Sequence, residues 1–384
     1  MNITSKRTVS AIYASTILGM TATAISGTIL VLYALELGGS IFEVGLVSSA
    51  GSYVALALRI PMGALSDRIG RRRILIIGTL SFTISALLSA FATNAWILII
   101  AKLIEGLGWS IFMPVGMALI SDVSKDVEAL RRYTLSSGLG FFMGPLLSTA
   151  LLSFLNLRSL FYVSLGFWIV VLTITVLAVR EPESHRESRA LTGELSSVIR
   201  NRFVLAVILS NVGFSLANMT INTYGPVYLV EELEVSQQLI ALLASLRSTT
   251  MVTFRFLSGK IMDRAGNKLL LMLTMLILSA SGFALGLSQN YYQIAIMMLI
   301  SGMGWGMIFP LNAITVNQGT KATERGLANA TYMSAGDLTT MITPILMTNV
   351  IDLWSIRSTF FTASIMPIIA IMGIYLLLRQ SRTS

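Results

Sequence analysis

The sequence predicts an all-α membrane protein of twelve transmembrane helices, built as two homologous six-helix bundles. Three observations predict it. Charged residues are scarce and clustered, basic residues concentrate on one set of connections, and a set of multi-residue matches recurs at a fixed offset. The 384 residues are 54% hydrophobic and only 12% charged, about half the charge of a soluble domain. From Leu269 to Thr320, 52 residues pass with no Asp, Glu, Lys or Arg. One crossing needs only ~20 residues, so this stretch holds two with a turn between them.

Further charge-free runs cover 8–35, 74–101, 133–157, 159–179, 203–230 and 358–378. Each spans ~30 Å of hydrocarbon at a rise of 1.5 Å per residue. The apolar pattern and the polar breaks predict helices over 10–35, 43–62, 74–92, 95–120, 132–154, 159–179, 203–229, 238–258, 268–287, 291–316, 327–350 and 359–378. Short polar connections such as Thr93-Asn94 and Ser288-Gln289-Asn290 read as turns. The first apolar run is too long for a cleaved leader and is the first of many. The longest break, 181–202, reads as a linker between a bundle at 1–180 and a bundle at 203–384. It holds Pro182 and the only histidine, His185. Tyr224-Gly225-Pro226 is expected to break or kink its helix near one end.

An even number of crossings puts both termini on one side. Lys6, Arg7, Arg379 and Arg382 lie there, and Arg68, Arg71, Arg72, Arg73, Lys125, Arg131, Arg132, the linker arginines, Lys260, Arg264, Lys268, Lys321 and Arg325 fall in connections on the same side. The opposite side carries only Arg158 and Arg357. Positive charge marks the cytoplasmic side, so the formal charge of +9 reads as a topology signal of a cell-membrane protein with cytoplasmic termini. It does not point to nucleic acid. The chain has no Cys, which excludes disulfides and thiol chemistry. One histidine makes no cluster, and no G-x-x-x-x-G-K-[ST] loop occurs, so an ATP-driven pump is not expected. Neither metal nor cofactor is implied.

The repeat is the most specific feature. Arg59-x3-Gly63-x3-Asp67-Arg68-x-Gly70 recurs as Arg255-x3-Gly259-x3-Asp263-Arg264-x-Gly266, an offset of 196. Gly106-x-Gly108-Trp109-x4-Pro114 recurs as Gly302-x-Gly304-Trp305-x4-Pro310, and Asn94 as Asn290, at the same offset. Arg158-Ser159-x-Phe161 matches Arg357-Ser358-x-Phe360 at 199. Halves with six crossings each insert in the same orientation, which gives parallel repeats related by a pseudo-two-fold axis.

These residues resemble the major facilitator superfamily over nearly the whole chain. Gly63-Ala-Leu-Ser-Asp67-Arg68-Ile-Gly70-Arg71-Arg72 is similar to the family's G-x-x-x-D-R-x-G-R-R signature in the loop after the second helix. Asp263 and Arg264 belong to a weaker copy. The resemblance implies a gate latch, in which Asp67 pairs with basic groups and a helix N-terminus of the other half, and Arg71 joins it. Gly140-x3-Gly144-Pro145-x2-Ser148 resembles the G-x-x-x-G-P-x-x-G motif of the family's proton-coupled antiporters, with Ser for the last Gly. Lys102-Leu-Ile-Glu105-Gly106-Leu-Gly108 resembles the family's R-x-x-Q-G-x-G, but Lys replaces Arg and an ionisable Glu replaces Gln.

Ionisable side chains at hydrocarbon depth are costly and mark function. Four are expected there: Lys102, Glu105, Arg247 and Asp337. Lys102, Glu105 and Trp109 are spaced to share one helical face, and the repeat places Ser301 and Trp305 on the matching face of the second half. Two tryptophans lining a cavity suit an aromatic or amphipathic molecule. Asn211, Ser215, Asn218 and Asn222 form a polar stripe on one helix, read either as cavity-facing or as hydrogen-bonding glue between helices. Arg247 and Asp337 lie at matching depth and are expected to pair across two helices. Asp122, Glu36 and Glu232, near helix ends, are expected to be solvated.

The reading that follows is a secondary transporter working by alternating access. It is a monomer in the lipid bilayer that antiports small organic molecules against protons, with Glu105 and Asp337 as candidate proton sites. The alternative is an importer, exchanger or uniporter of a polar metabolite such as an organic anion or sugar, for which Arg247 and Lys102 would suit an anionic substrate. No nucleophile–base pair points to an enzyme.

Overall fold

A computed structural model describes residues 3–124, 127–181, 195–321 and 324–379. Lys125, Arg382, His185 and residues 182–194 of the expected linker lie outside the described residues. The described residues are 91% helical, and no strand occurs among them. Among the described residues thirteen helices follow in order: α1 (Ile3–Glu36), α2 (Ile41–Ile69), α3 (Arg71–Ala90), α4 (Ala95–Ser124), α5 (Val127–Leu151), α6 (Leu157–Ala178), α7 (Leu195–Arg200), α8 (Arg202–Glu231), α9 (Gln237–Ala265), α10 (Asn267–Leu287), α11 (Tyr291–Gly319), α12 (Arg325–Leu353) and α13 (Ile356–Leu377).

Eleven of these are long and apolar enough to cross a membrane. The short α7 lies inside the segment expected to be linker. The twelfth expected span is α12. It is 29 residues long, about 43 Å at the helical rise, but Asn329, Thr331, Ser334, Asp337, Thr339 and Thr340 dilute its apolar character. The outward surface is rich in large apolar side chains, with Phe154, Leu177, Leu353 and Trp354 among the most exposed. Lipid solvates such a surface; water does not.

The helices begin where side chains replace missing backbone partners. Ser40 and Glu43 form a reciprocal capping box at the start of α2. The turn residues Asn94 and Asn290 prove to be caps: each accepts from the N–H three residues on, at 3.1 and 3.0 Å. Single glycines join α2 to α3 and α9 to α10. Gly70 has φ 115° and Gly266 has φ 78°, backbone that a Cβ disfavours.

The structure corrects two sequence expectations about helix ends. The Gly63–Arg68 segment is the last turns of α2 rather than a loop, and Asp263 and Arg264 likewise end α9. The apolar signal stops at the membrane boundary, but the backbone keeps its helical hydrogen bonds beyond it. Of the break or kink expected at Pro226, the break does not occur, since α8 continues to Glu231. Proline removes one ladder bond, and the rest of the ladder remains the cheapest partner available in hydrocarbon.

Backbone contacts divide the chain into two compact units, Met1–Ser188 with Gln237–Leu242, and Arg189–Ser236 with Leu243–Ser384. In the first, α2 packs on α4, α1 on α5 and α6, and α3 on α4 and α6. Its core stacks Phe82 on Trp168 at 4.2 Å, with Phe112 edge-on to both. In the second, α8 packs on α12 and α13, and α10 on α11 and α13.

The sequence repeat is also a repeat of contacts. Tyr33 donates to the Ala92 carbonyl at 3.1 Å and packs on Phe161 at 5.0 Å. Tyr228 donates to the Ser288 carbonyl at 2.6 Å and packs on Phe360 at 5.9 Å. Arg158 donates to the Tyr33 hydroxyl at 2.9 Å, and Arg357 lies 5.3 Å over the Tyr228 ring. At the other end, Arg72 donates to the Val176 carbonyl and Lys268 to that of Tyr375. Every one of these pairs sits at the 196 or 199 offset read from the sequence, except the tyrosines, which sit at 195.

Candidate substrate and coupling site

Lys102, Glu105 and Trp109 do share one face of α4, and they meet at one carboxylate. Lys102 Nζ lies 2.5 Å from Glu105 Oε1, and Trp109 Nε1 donates to the same oxygen at 3.1 Å. The other oxygen, Oε2, accepts from Ser85 Oγ of α3 at 3.4 Å. Glu105 is only 6% exposed. Beside it is a narrow cavity lined by Ser26, Ser85, Ser89, Ser164, Lys102 and Glu105, with room for about one water molecule. The acid is therefore held inside the first bundle among hydroxyls, and its lysine neutralises it there. Trp109 is half-buried, edge-on to Phe82 at 5.7 Å and parallel to Phe141 at 6.3 Å.

The second unit fills the matching crossing differently. Arg247 of α9 is 2% exposed. Its Nε donates to Ser301 Oγ at 3.0 Å, and its terminal nitrogens donate to the Oδ1 atoms of Asn222 and, at 2.8 Å, Asn218. The guanidinium also lies 4.9 Å over the Trp305 ring. Ser301 stands where the repeat has Glu105, and Arg247 where it has Gly51. In the first unit a Cβ at Gly106 would land on the Gly51 carbonyl, and in the second one at Gly302 would land on Thr250 and the Arg247 carbonyl. The same close crossing, α2 on α4 and α9 on α11, is retained in both.

The expected Arg247–Asp337 pair does not form: Arg247 enters no ion pair among the described residues, and its hydrogen bonds go to neutral acceptors. Equal depth did not fix which way the side chain turns, and it turns toward α8 and α11. Asp337 sits half-buried on α12 next to Gly336, which packs against Asn211 and Ser215 of α8. The polar stripe of α8 therefore divides. Asn211 is glue, donating to the Tyr332 carbonyl at 2.8 Å, while Asn218 and Asn222 hold the arginine. Asn222 is exposed and Asn218 half-buried.

At the gate motif, Arg71 pairs with Asp67 at 2.5 Å and with Asp122 of α4 at 3.1 Å, and donates to Ser66 Oγ at 2.7 Å. Glu181, beyond α6, accepts from the backbone N–H groups of Arg71 and Arg72 at 2.8 and 2.9 Å. A carboxylate thus caps the first turn of α3 from a distance. Arg68 is exposed at the end of α2. Glu36 and Glu232 are exposed, as expected, and Glu232 pairs at the surface with Arg357 at 2.9 Å, while Asp122 is half-buried and paired with Arg71. Among the described residues the second unit lacks this network. Asn267 replaces Arg71 and donates to Thr315, and Asp263 and Arg264 are exposed.

Gly140 and Gly144 are contact points between α5 and α1. A Cβ at either would strike Met20 and Ile17, or Ala24 and Ile25. Ser148, at the motif's final position, fits by donating to the Gly144 carbonyl at 3.1 Å and lying 3.4 Å from that of Ile25. Pro145 lies inside the helix. Sequence reasoning missed Ser85 and Glu181 as partners, because neither carries a local pattern that names its distant contact.

The Major Facilitator Superfamily model matches residues 12–318 and 207–384, and the chain belongs to that family. It is a multi-pass membrane transporter and not an enzyme. Multidrug resistance protein MdtL of Klebsiella pneumoniae is 24% identical over 277 residues, covering 69% of this chain and 71% of that protein. A structure of the nucleoside transporter NupG superposes with a TM-score of 0.80 at 12% identity, over 96% of this chain and 100% of that one. The human organic anion transporter MFSD10 gives 0.70 at 17% identity, over 97% and 100%. At such identities the two structures show the fold alone.

Proposed function

We propose that the chain is a proton-coupled antiporter that exports small organic molecules by alternating access. The observation that carries this reading is Glu105, a buried carboxylate held by Lys102, Trp109 and Ser85 beside a cavity of water size. A carboxylate in hydrocarbon must be paired or protonated. Turning Lys102 away leaves protonation as the cheaper state, and restoring it expels the proton. Coupling needs only that substrate and proton bias the same two-state element. The relative named for multidrug resistance supports the export direction. The Asp67–Arg71–Asp122 cluster is the latch that exchanges partners as the halves move, with Asp337 as a second proton site. The functional unit is a monomer.

The test is purified protein in proteoliposomes with an internal pH-sensitive dye, screened against a library of organic compounds. Active compounds should drive proton movement opposite to their own, and Asp67→Asn should slow both fluxes together. Compound flux without any proton signal would refute antiport, and single-channel currents would refute alternating access.

A further inference from the structure

The buried arginine of the second unit has chemistry that the coupling reading leaves unused. Arg247 lies about 15 Å along α9 from its first residue, deep within the span. A guanidinium there is costly unless an opposite charge compensates it. In the first unit the matching crossing holds a neutral Lys102–Glu105 pair. In the second unit the acceptors are two amides and a hydroxyl, so a full positive charge remains. The helices that supply them bring no carboxylate nearby. The described residues of α11 include no charged residue, the only acid of α8 is Glu231 at its end, and that of α9 is Asp263 near the opposite end. Asp337 of α12 accepts none of the arginine's hydrogen bonds.

Five N–H groups are available on a guanidinium, and three are used here, one on each nitrogen. One N–H remains on each terminal nitrogen, the fork that grips a carboxylate with two parallel bonds. Exposed Asn222 and half-buried Asn218 cover that fork from α8, and an amide that gives up the arginine can turn its own N–H toward an anion. Half-buried Trp305 is the aromatic neighbour of the charge: the guanidinium lies over its ring, and the ring packs against the core of the second unit.

We propose that Arg247, framed by Asn218, Asn222 and Ser301 beside Trp305, is a docking site for the carboxylate of an aromatic organic acid. This deepens the transport reading and rests on it for the claim that such a molecule is cargo. The incoming anion supplies the counter-charge that α8, α9 and α11 withhold, so the site is completed by its ligand.

The experiment is equilibrium calorimetry on detergent-purified protein with aryl carboxylates and their matched neutral amides, led by 2-naphthoate and 2-naphthamide. No gradient is present, so the outcome is independent of proton coupling. The acids should bind about tenfold or more tightly than the amides, as expected for hydrogen bonds to a charged group. Arg247→Gln should abolish that preference, and Arg247→Lys should retain part of it. Asn222→Asp places a carboxylate on the guanidinium and should also abolish it. This second variant keeps the arginine paired if Arg247→Gln fails to fold. Equal binding of acids and amides by the parent protein, including binding of neither, overturns the proposal. So does an acid preference that survives in Arg247→Gln or Asn222→Asp.

Discussion

Glu105→Gln is expected to reduce substrate-driven proton flux to the level of protein-free vesicles while sparing counterflow exchange of substrate. The amide keeps the size of the carboxylate and one acceptor oxygen for Trp109 at 3.1 Å, and its NH2 can donate to Ser85 Oγ, which reverses that bond at 3.4 Å. What is lost is the site's ability to take and release a proton, together with the charge that holds Lys102 at 2.5 Å. Counterflow needs only the substrate-loaded half of the cycle and does not depend on that proton. Asp337→Asn, alone and combined with Glu105→Gln, assigns the remaining share of coupling. Parent-rate proton movement in the double variant would make both acids structural and overturn their assignment as the proton sites.

Gly106→Val is expected to abolish folded, membrane-inserted protein, and Gly302→Val to do the same in the second unit. Added bulk in a packed core costs about 1–3 kcal/mol where neighbouring side chains can shift. Here the first atoms met are the Gly51 backbone in one unit, and Thr250 with the Arg247 carbonyl in the other. Backbone in a helix crossing yields only if the helices separate, so the cost falls at or above the upper end. Close approach of this kind is how helices associate in lipid, where no hydrophobic drive acts between them. Fluorescence-detected size exclusion of tagged variants measures it. A monodisperse parent-like peak for both variants would show that the crossings tolerate separation. Gly63→Ala is the control, since a Cβ there meets nothing within 4 Å.

Much of this architecture is legible in the sequence because it is encoded locally. The helices follow from charge-free length, and the bundle repeat from matches at 196 and 199 that reappear as paired contacts such as Arg72–Val176 and Lys268–Tyr375. The Lys102–Glu105–Trp109 group was legible for the same reason, since spacing of three and four residues fixes proximity on a helix. What was not legible depends on helix rotation and on long loops. Depth along α9 and α12 suggested that Arg247 would meet Asp337, but depth says nothing of azimuth. Glu181 reaches the start of α3 from more than a hundred residues away, and no spacing rule announces that. The α12 span was weakly marked because its many polar side chains obscure the apolar signal.

The most direct test of the account is substrate distribution in proteoliposomes with an imposed pH gradient and the membrane potential clamped. An antiporter coupled through a buried carboxyl should concentrate substrate on the more acidic side, against the substrate's own gradient, and lose that accumulation when a protonophore is added. Identical final distributions with and without the pH gradient would contradict it.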